Sequence, residues 1–210
     1  DLCPFITVSS PTLELSKFCS LFTQSEWAGY DYYQSLEKWY VYGPGRKLGP
    51  TQGVGFVNEL IARLTGKAVD DHTTTNSTLD SSPTTYPLDR KIYADFSHDN
   101  TLMAIYSALG LYNGTESLPL DHIVPPRELA GYAASWAVPF GARMYVGKLD
   151  CLHRSEALVR VLVNGRVVAL QGCDADEHGR CSLSSFVESL SFARNGGRWG
   201  ECQAEVGEGE

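Results

Sequence analysis

The spacing of apolar residues changes several times along the chain, and each change marks a new element. From Glu26 to about Trp39, the residues Trp27, Tyr30, Tyr33, Leu36 and Tyr40 recur at steps of three and four, which places them on one face of a helix. Gly43-Pro44-Gly45 ends that pattern. After a loop from Arg46 to Pro50, Thr51 stands as the N-cap of a second helix that carries Val54, Val57, Leu60, Ile61 and Leu64 and closes at Gly66. The short link between the two predicts a helical hairpin. Residues 67–90 lose apolar periodicity and are rich in Asp, Thr, Ser and Pro, the composition of a solvent-facing connector and a domain boundary. A strand pattern returns over Lys91–Ser97, and a helical pattern follows over Asn100–Tyr112. Beyond a proline-containing stretch, Leu118–Glu128, a strand is expected over Arg143–Leu149. A hairpin is expected over Leu158–Leu170, where valines and leucines flank the two-residue turn Asn164-Gly165. A last helix, Leu183–Arg194, stops at Asn195-Gly196-Gly197.

With 210 residues, 43% of them hydrophobic, the chain holds enough apolar material for one large domain or two small ones. The tail Gln203–Glu210, all glycine and polar residues apart from Ala204 and Val206, is expected to be disordered. No run of 18 apolar residues exists and the first twenty lack the layout of a signal peptide, so a soluble protein is expected. A formal charge of -8 argues against nucleic acid or an anionic membrane as a general partner, yet leaves room for a local cationic pocket. None of the six cysteines falls in CxxC spacing, so neither a structural zinc site nor a redox motif is expected. Two sequons, at Asn76 and Asn113, lie in turn-like stretches. With an even cysteine count they point to N-glycosylation in an oxidising, secretory compartment and hence to an extracellular protein.

The chemistry concentrates where the strand pattern hands over to the helix, at Ser97-His98-Asp99. Three consecutive side chains on an extended segment alternate faces, so they cannot line up as nucleophile, base and orienter, and the G-x-S-x-G elbow of an esterase is absent. What a His-Asp pair can do there is meet an anion. In an open α/β sheet, ligands bind beyond the carboxyl ends of strands, where helix N-termini offer N–H groups. An imidazole can donate to a phosphoryl oxygen, and a carboxyl beside bound phosphate keeps its proton to higher pH, which makes Asp99 a general acid for an oxygen leaving group. The bland alternative is that Asp99 caps the helix and His98 is a satisfied core residue; spacing alone leaves both open.

Other candidates carry less. The Gly-rich stretch Gly43–Gly55 follows no strand and does not match a phosphate loop, so it reads as a helix-helix turn. Asp70-Asp71-His72 reads as a solvated acidic turn rather than a metal site. Cys173 and Cys181 enclose seven residues and are expected to close a small disulfide loop. Glu37 and Lys38 read as wet surface.

The block YADFSHDN, Tyr93 to Asn100, resembles the His-Asp segment of the histidine acid phosphatases, the fungal phytases in particular. So do LGPTQGVGFVNELIARLT from Leu48, ALGLYNGT from Ala108, LVRVLVN from Leu158 and LSFAR from Leu190, in the same order. The likeness runs from about Phe18 to Cys202. It implies an α/β fold with a central sheet flanked by helices and a smaller helical domain, with this chain as the C-terminal part. Residues 1–66 would belong to the helical domain, 67–90 to the glycosylated connector, 91–202 to the α/β domain, and 203–210 to the tail.

The resemblance also implies cofactor-free, metal-independent hydrolysis of phosphomonoesters through a phosphohistidine, with inositol hexakisphosphate as substrate. Asp99 would protonate the leaving oxygen, His98 would help bind the transferred phosphoryl group, and Lys38 would contribute to the substrate pocket. Glu37 stands where a second basic residue is often found, which favours the alternative of a broad-specificity acid phosphatase. The family's nucleophilic histidine lies in an R-H-G-x-R-x-P segment that this sequence lacks. The chain would then act only with an N-terminal portion carrying that segment, and Asp1 would follow a nick or a processing boundary. A catalytically silent phosphate-binding or interaction module is the alternative from another class. By resemblance Cys3 pairs with Cys19 and Cys173 with Cys181, while Cys151 and Cys202 pair with cysteines of the N-terminal portion.

Overall fold

The structure is a computed structural model and describes residues 11, 12, 14–152 and 154–203. Cys3 and the tail residues 204–210 lie outside the described residues. Helix α1, Gln24–Glu37, starts two residues before the apolar pattern because Thr23 and Glu26 form a capping box across its first turn. It does not run on regularly to Trp39: the turn Lys38–Tyr42 widens into a π-helix.

Helix α2, Val54–Thr65, begins after a 3-10 turn, Pro50–Gly53, and ends at Gly66 in the left-handed conformation, as its sequence predicts. Thr51 is not its N-cap. That position falls to Gly53, while the Thr51 hydroxyl oxygen accepts the Arg198 N–H at 3.1 Å and ties this turn to the C-terminal region. A short helix, α3, covers Ser77–Asp80 inside the polar connector.

The expected strand Lys91–Ser97 pairs with nothing among the described residues and is an extended segment leading into helix α4, Asp99–Leu109. Helix α4 stops three residues short of Tyr112, because Gly110 turns left-handed and closes it. After α5, Ala134–Ala137, come strands β1, Met144–Leu149, β2, Leu158–Val163, and β3, Arg166–Val167. Strand β4, Arg180–Ser182, leads into α6, Leu183–Ser189, and α7, Ser191–Arg194. The expected last helix therefore breaks in two at Leu190, which leaves the helical region.

The sheet is antiparallel, in the order β1-β2-β3 with β4 also on β2, and Met144 faces Val163 while Leu149 faces Leu158. Asn164 and Gly165 both take positive φ, 50° and 80°, the turn that hairpin twist favours and that Gly165 adopts without strain. The disulfide Cys173–Cys181 closes the loop before β4, with Cα atoms 5.8 Å apart.

The expected α1–α2 hairpin does not form as a packing unit. Helix α1 lies against α5, and α2 against α4, α6 and α7. Ser35 and Asp31 explain the first contact: the Ser35 hydroxyl accepts the Ala134 N–H at 2.9 Å, and Asp31 accepts from the N–H and the hydroxyl of Ser135. Tyr32 and Tyr40 donate their hydroxyls at 2.7 Å to the carbonyls of Pro119 and Leu118. One apolar core runs from Tyr32 and Trp39 through Val54, Val57 and Leu60 to Met103, Ile105 and Tyr106, and on to Val159, Val161 and Phe186.

Asn164 anchors the hairpin turn to α5. It accepts from the Arg143 N–H at 2.8 Å and donates to the carbonyls of Trp136 and Ala137 at 2.8 and 3.0 Å. Asn164→Ala should cost about 2 kcal/mol, because partly buried carbonyls then lose their donors; the urea unfolding midpoint measures it.

Candidate active site

A strand pattern needs a neighbouring strand, and residues 91–97 have none among the described residues, so Ile92 is 85% exposed and Phe96 99% exposed. The segment is fastened to α2 instead. Arg63, with 12% of its side chain exposed, grips Asp95 with two hydrogen bonds of 2.6 and 3.1 Å. Its guanidinium also lies 5.1 Å from the ring centres of both Tyr86 and Tyr93. Neither Arg63 nor Asp95 stands out in the sequence reading. The available hints are a lone arginine four residues after Glu59 on an amphipathic helix, and an aspartate set between Ala94 and Phe96.

Three residues on, His98 occupies the N-cap position of α4 without making a capping bond through its side chain, and Asp99 is the first helical residue. Both are exposed, so neither half of the bland reading holds: Asp99 is not the cap and His98 is not a core residue.

What faces Asp99 is Lys38, at the start of the π turn. Lys38 was expected on the wet surface with Glu37, yet its side chain is 4% exposed, against 51% for Asp99. The Lys38 ammonium lies 2.9 Å from Asp99 Oδ2 and 3.3 Å from Glu37 Oε2. The correction has a local cause. Widening the helix from α to π at Lys38 keeps that side chain turned toward α4, against which the π turn packs. The 3-10 turn before α2 also lies directly on α4, because at Gly53 any Cβ would strike the Ala104 carbonyl and the Ile105 Cα, at 2.8 Å from the latter. The LGPTQG block thus sets the distance between the lysine-bearing turn and the His-Asp helix.

Burial alone would push the Asp99 carboxyl up. The Lys38 hydrogen bond and charge, with the backbone N–H groups of Asn100 and of Asp99 itself, outweigh it and hold the carboxyl below its ordinary value. The sequence expectation of a raised value assumed a phosphate beside it; without one, Lys38 sets the sign. The buried Lys38 ammonium thus puts a positive charge at the N-terminus of α4, where His98 stands exposed, and an anion can be held by such a charge.

Two clefts of about 330 and 340 Å³ lie elsewhere, between α2 and the C-terminal region, and share Asn58, Asp70, Arg194 and Asn195. There Asp71 turns its carboxylate onto Asn58, Thr73 and Thr75, while Asp70 and His72 stand in solvent. The Gly43–Gly55 stretch follows the π turn, passes through the 3-10 turn Pro50–Gly53, and ends on the first two residues of α2. Cys19 is buried and disulfide-bonded, and Cys151 and Cys202 are free. Asn76 and Asn113 are both exposed. No helix among the described residues is long and apolar enough to cross a membrane.

Residues 2–164 match the family described as the Histidine phosphatase superfamily (branch 2). Phytase A of Aspergillus oryzae is 58% identical over 206 residues, covering 97% of this chain and 44% of its own length. Phytase A of Emericella nidulans is 57% identical over 204 residues, covering 96% and 44%. A crystal structure of the phytase from D. castellii superimposes with a TM-score of 0.63 at 23% identity, over 85% of this chain and 34% of that one, and shows the shared fold. The chain thus spans less than half the length of the curated relatives it matches.

Because its folded value is depressed, Asp99 adds stability that is present above about pH 4, the ordinary carboxyl range, and lost as the pH falls through the folded value. Lys38→Met should raise the Asp99 titration and flatten that acid loss; carboxyl-carbon NMR across pH 2 to 6, with urea midpoints at each pH, reads both.

Proposed function

Since the chain belongs to the Histidine phosphatase superfamily (branch 2), we propose that it is the C-terminal portion of a phytase-type acid phosphatase in which Lys38, His98 and Asp99 form one side of the phosphate site. The observation that carries this reading is the Lys38–Asp99 pair, 2.9 Å long and built on a buried lysine, at the exposed N-terminus of the His-Asp helix. A phosphomonoester entering there offers the ammonium a better anion than one carboxylate. As Lys38 turns to the phosphoryl oxygens, Asp99 loses its cation and gains a negative neighbour. Both changes raise its pKa and let it carry a proton in acid solution.

The nucleophile is the imidazole of a histidine outside this chain. Its nitrogen forms the bond to phosphorus while the ester P–O bond breaks, and the Asp99 proton passes to the departing alcohol oxygen. Asp99, now a carboxylate, takes a proton from the water that hydrolyses the phosphohistidine, which restores both groups. His98 donates to a phosphoryl oxygen. The chain is active only with the N-terminal portion that supplies the nucleophile. In this reading residues 1–66 belong to a helical domain, 67–90 to a connector, and 91–202 to the α/β domain that the N-terminal portion completes.

Cys151 and Cys202 are free here and bridge to that portion. The protein is secreted and carries glycans at Asn76 and Asn113. At Asn76 the capping atom for α3 is Oδ1, which accepts from Thr78 and Leu79, so the amide nitrogen that takes a glycan is not the one holding the helix.

Inositol hexakisphosphate is the substrate of the first reading. Glu37 favours a second, a phosphatase of broad specificity: its carboxylate, 3.3 Å from the Lys38 ammonium, repels a polyanion more than a simple ester. The rate ratio between inositol hexakisphosphate and an aryl phosphate separates the two.

Asp99→Asn tests the general acid. Turnover of alkyl phosphates should fall by about 10² to 10³, that of activated aryl phosphates far less, with KM little changed. Equal losses on both esters would remove Asp99 from the proton transfer.

A further inference from the structure

Residues 86–95 lead the chain from the connector to the His-Asp pair, and the backbone bonds that hold them are local: the Tyr86 N–H donates to the Ser82 carbonyl at 2.8 Å and the Arg90 N–H to the Tyr93 hydroxyl at 3.2 Å. No ladder hydrogen bond reaches residues 91–97, and Ile92 and Phe96 project into solvent. Yet three side chains of this stretch converge on one group of α2. Asp95 takes both terminal nitrogens of Arg63, and Tyr86 and Tyr93 both lie against the same guanidinium at 5.1 Å. The Tyr86 hydroxyl then donates to the Glu59 carbonyl at 2.9 Å, one helical turn earlier on α2. The Glu59 carboxylate, 3.9 Å from Arg63, is a weaker partner than Asp95.

We infer that Arg63 is a positioning residue for the reaction proposed above: it fixes the approach of the 86–95 segment and, through Asp95, the place of His98 and Asp99 opposite Lys38. The inference rests on that proposed function. Geometry gives the arginine this role rather than a merely cohesive one. A planar fork with two faces can bind a carboxylate at its edge and two rings at once, which a lysine ammonium cannot do. The grip is also local. Asp95 lies four residues before Asp99, the first residue of α4, so its grip on Arg63 limits where the chain can enter that helix. An error of about 1 Å at a proton donor can cost about 10²-fold.

The test uses the complete enzyme carrying this sequence, with Arg63→Lys, which keeps the charge and most of the stem but loses the fork. The expected result is a fall of about tenfold or more in kcat on an alkyl phosphate, under threefold on an activated aryl phosphate, and a melting temperature within a few degrees of the unsubstituted protein. Asp95→Asn should give the same leaving-group pattern, the double variant should be no worse than either single, and Tyr93→Phe, which keeps the ring, should stay near full rate. Equal losses on both esters, or a loss that tracks the melting temperature alone, would reduce Arg63 to a structural contact and overturn the inference while the proposed function stands. If the unsubstituted enzyme hydrolyses neither ester, the proposed function fails and the inference fails with it.

Discussion

A lysine ammonium with 4% of its side chain open to solvent must be neutralised where it lies, and the carboxylates of Asp99 and Glu37 do this for Lys38. Removing a charge from water costs several kcal/mol after the protein relaxes, so such a group is kept only where its partners are held close. That requirement binds together parts of the chain that are 61 positions apart. The lysine sits on a widened helical turn and the carboxylate on the first residue of α4. Between them the fold supplies the 3-10 turn over Gly53, pressed on the α4 backbone. The same arrangement gives the site its chemical tension, since a cation that stabilises the carboxylate also strips it of the proton a general acid needs.

In the proposed function an incoming phosphate would resolve that tension by replacing one anion with another. The buried ammonium keeps a partner throughout, so it is never left uncompensated. In that reading the carboxyl would change from an ion-paired base to a proton carrier only when substrate is present. Coupling of this kind would place the acid form of Asp99 in the complex rather than in the free protein, and would reconcile its depressed value with the proposed acid role.

Much of this was legible in the sequence, and the failures share one cause. Local chemistry was readable: the Asn164-Gly165 turn, the Gly66 stop of α2, the Cys173–Cys181 loop and the handover at His98-Asp99 all depend on residues close in sequence. Lys38 was misjudged because its burial depends on a π turn and on α4, neither visible from the spacing around it. The strand expected over Lys91–Ser97 does not form, because apolar alternation makes a strand only with a neighbour, and none lies among the described residues. Arg63 escaped notice for the same reason: its three partners lie 23 to 32 positions further along.

The central claim is that phosphate takes Lys38 from Asp99 and so raises the carboxyl's pKa. Carboxyl-carbon NMR of the complete enzyme, titrated with and without saturating inorganic phosphate, measures that directly. The account predicts an Asp99 titration below the ordinary carboxyl range without phosphate, and an upward shift of a unit or more, ~1.4 kcal/mol or greater, with phosphate bound. An Asp99 titration that stays in place while phosphate binds would contradict it.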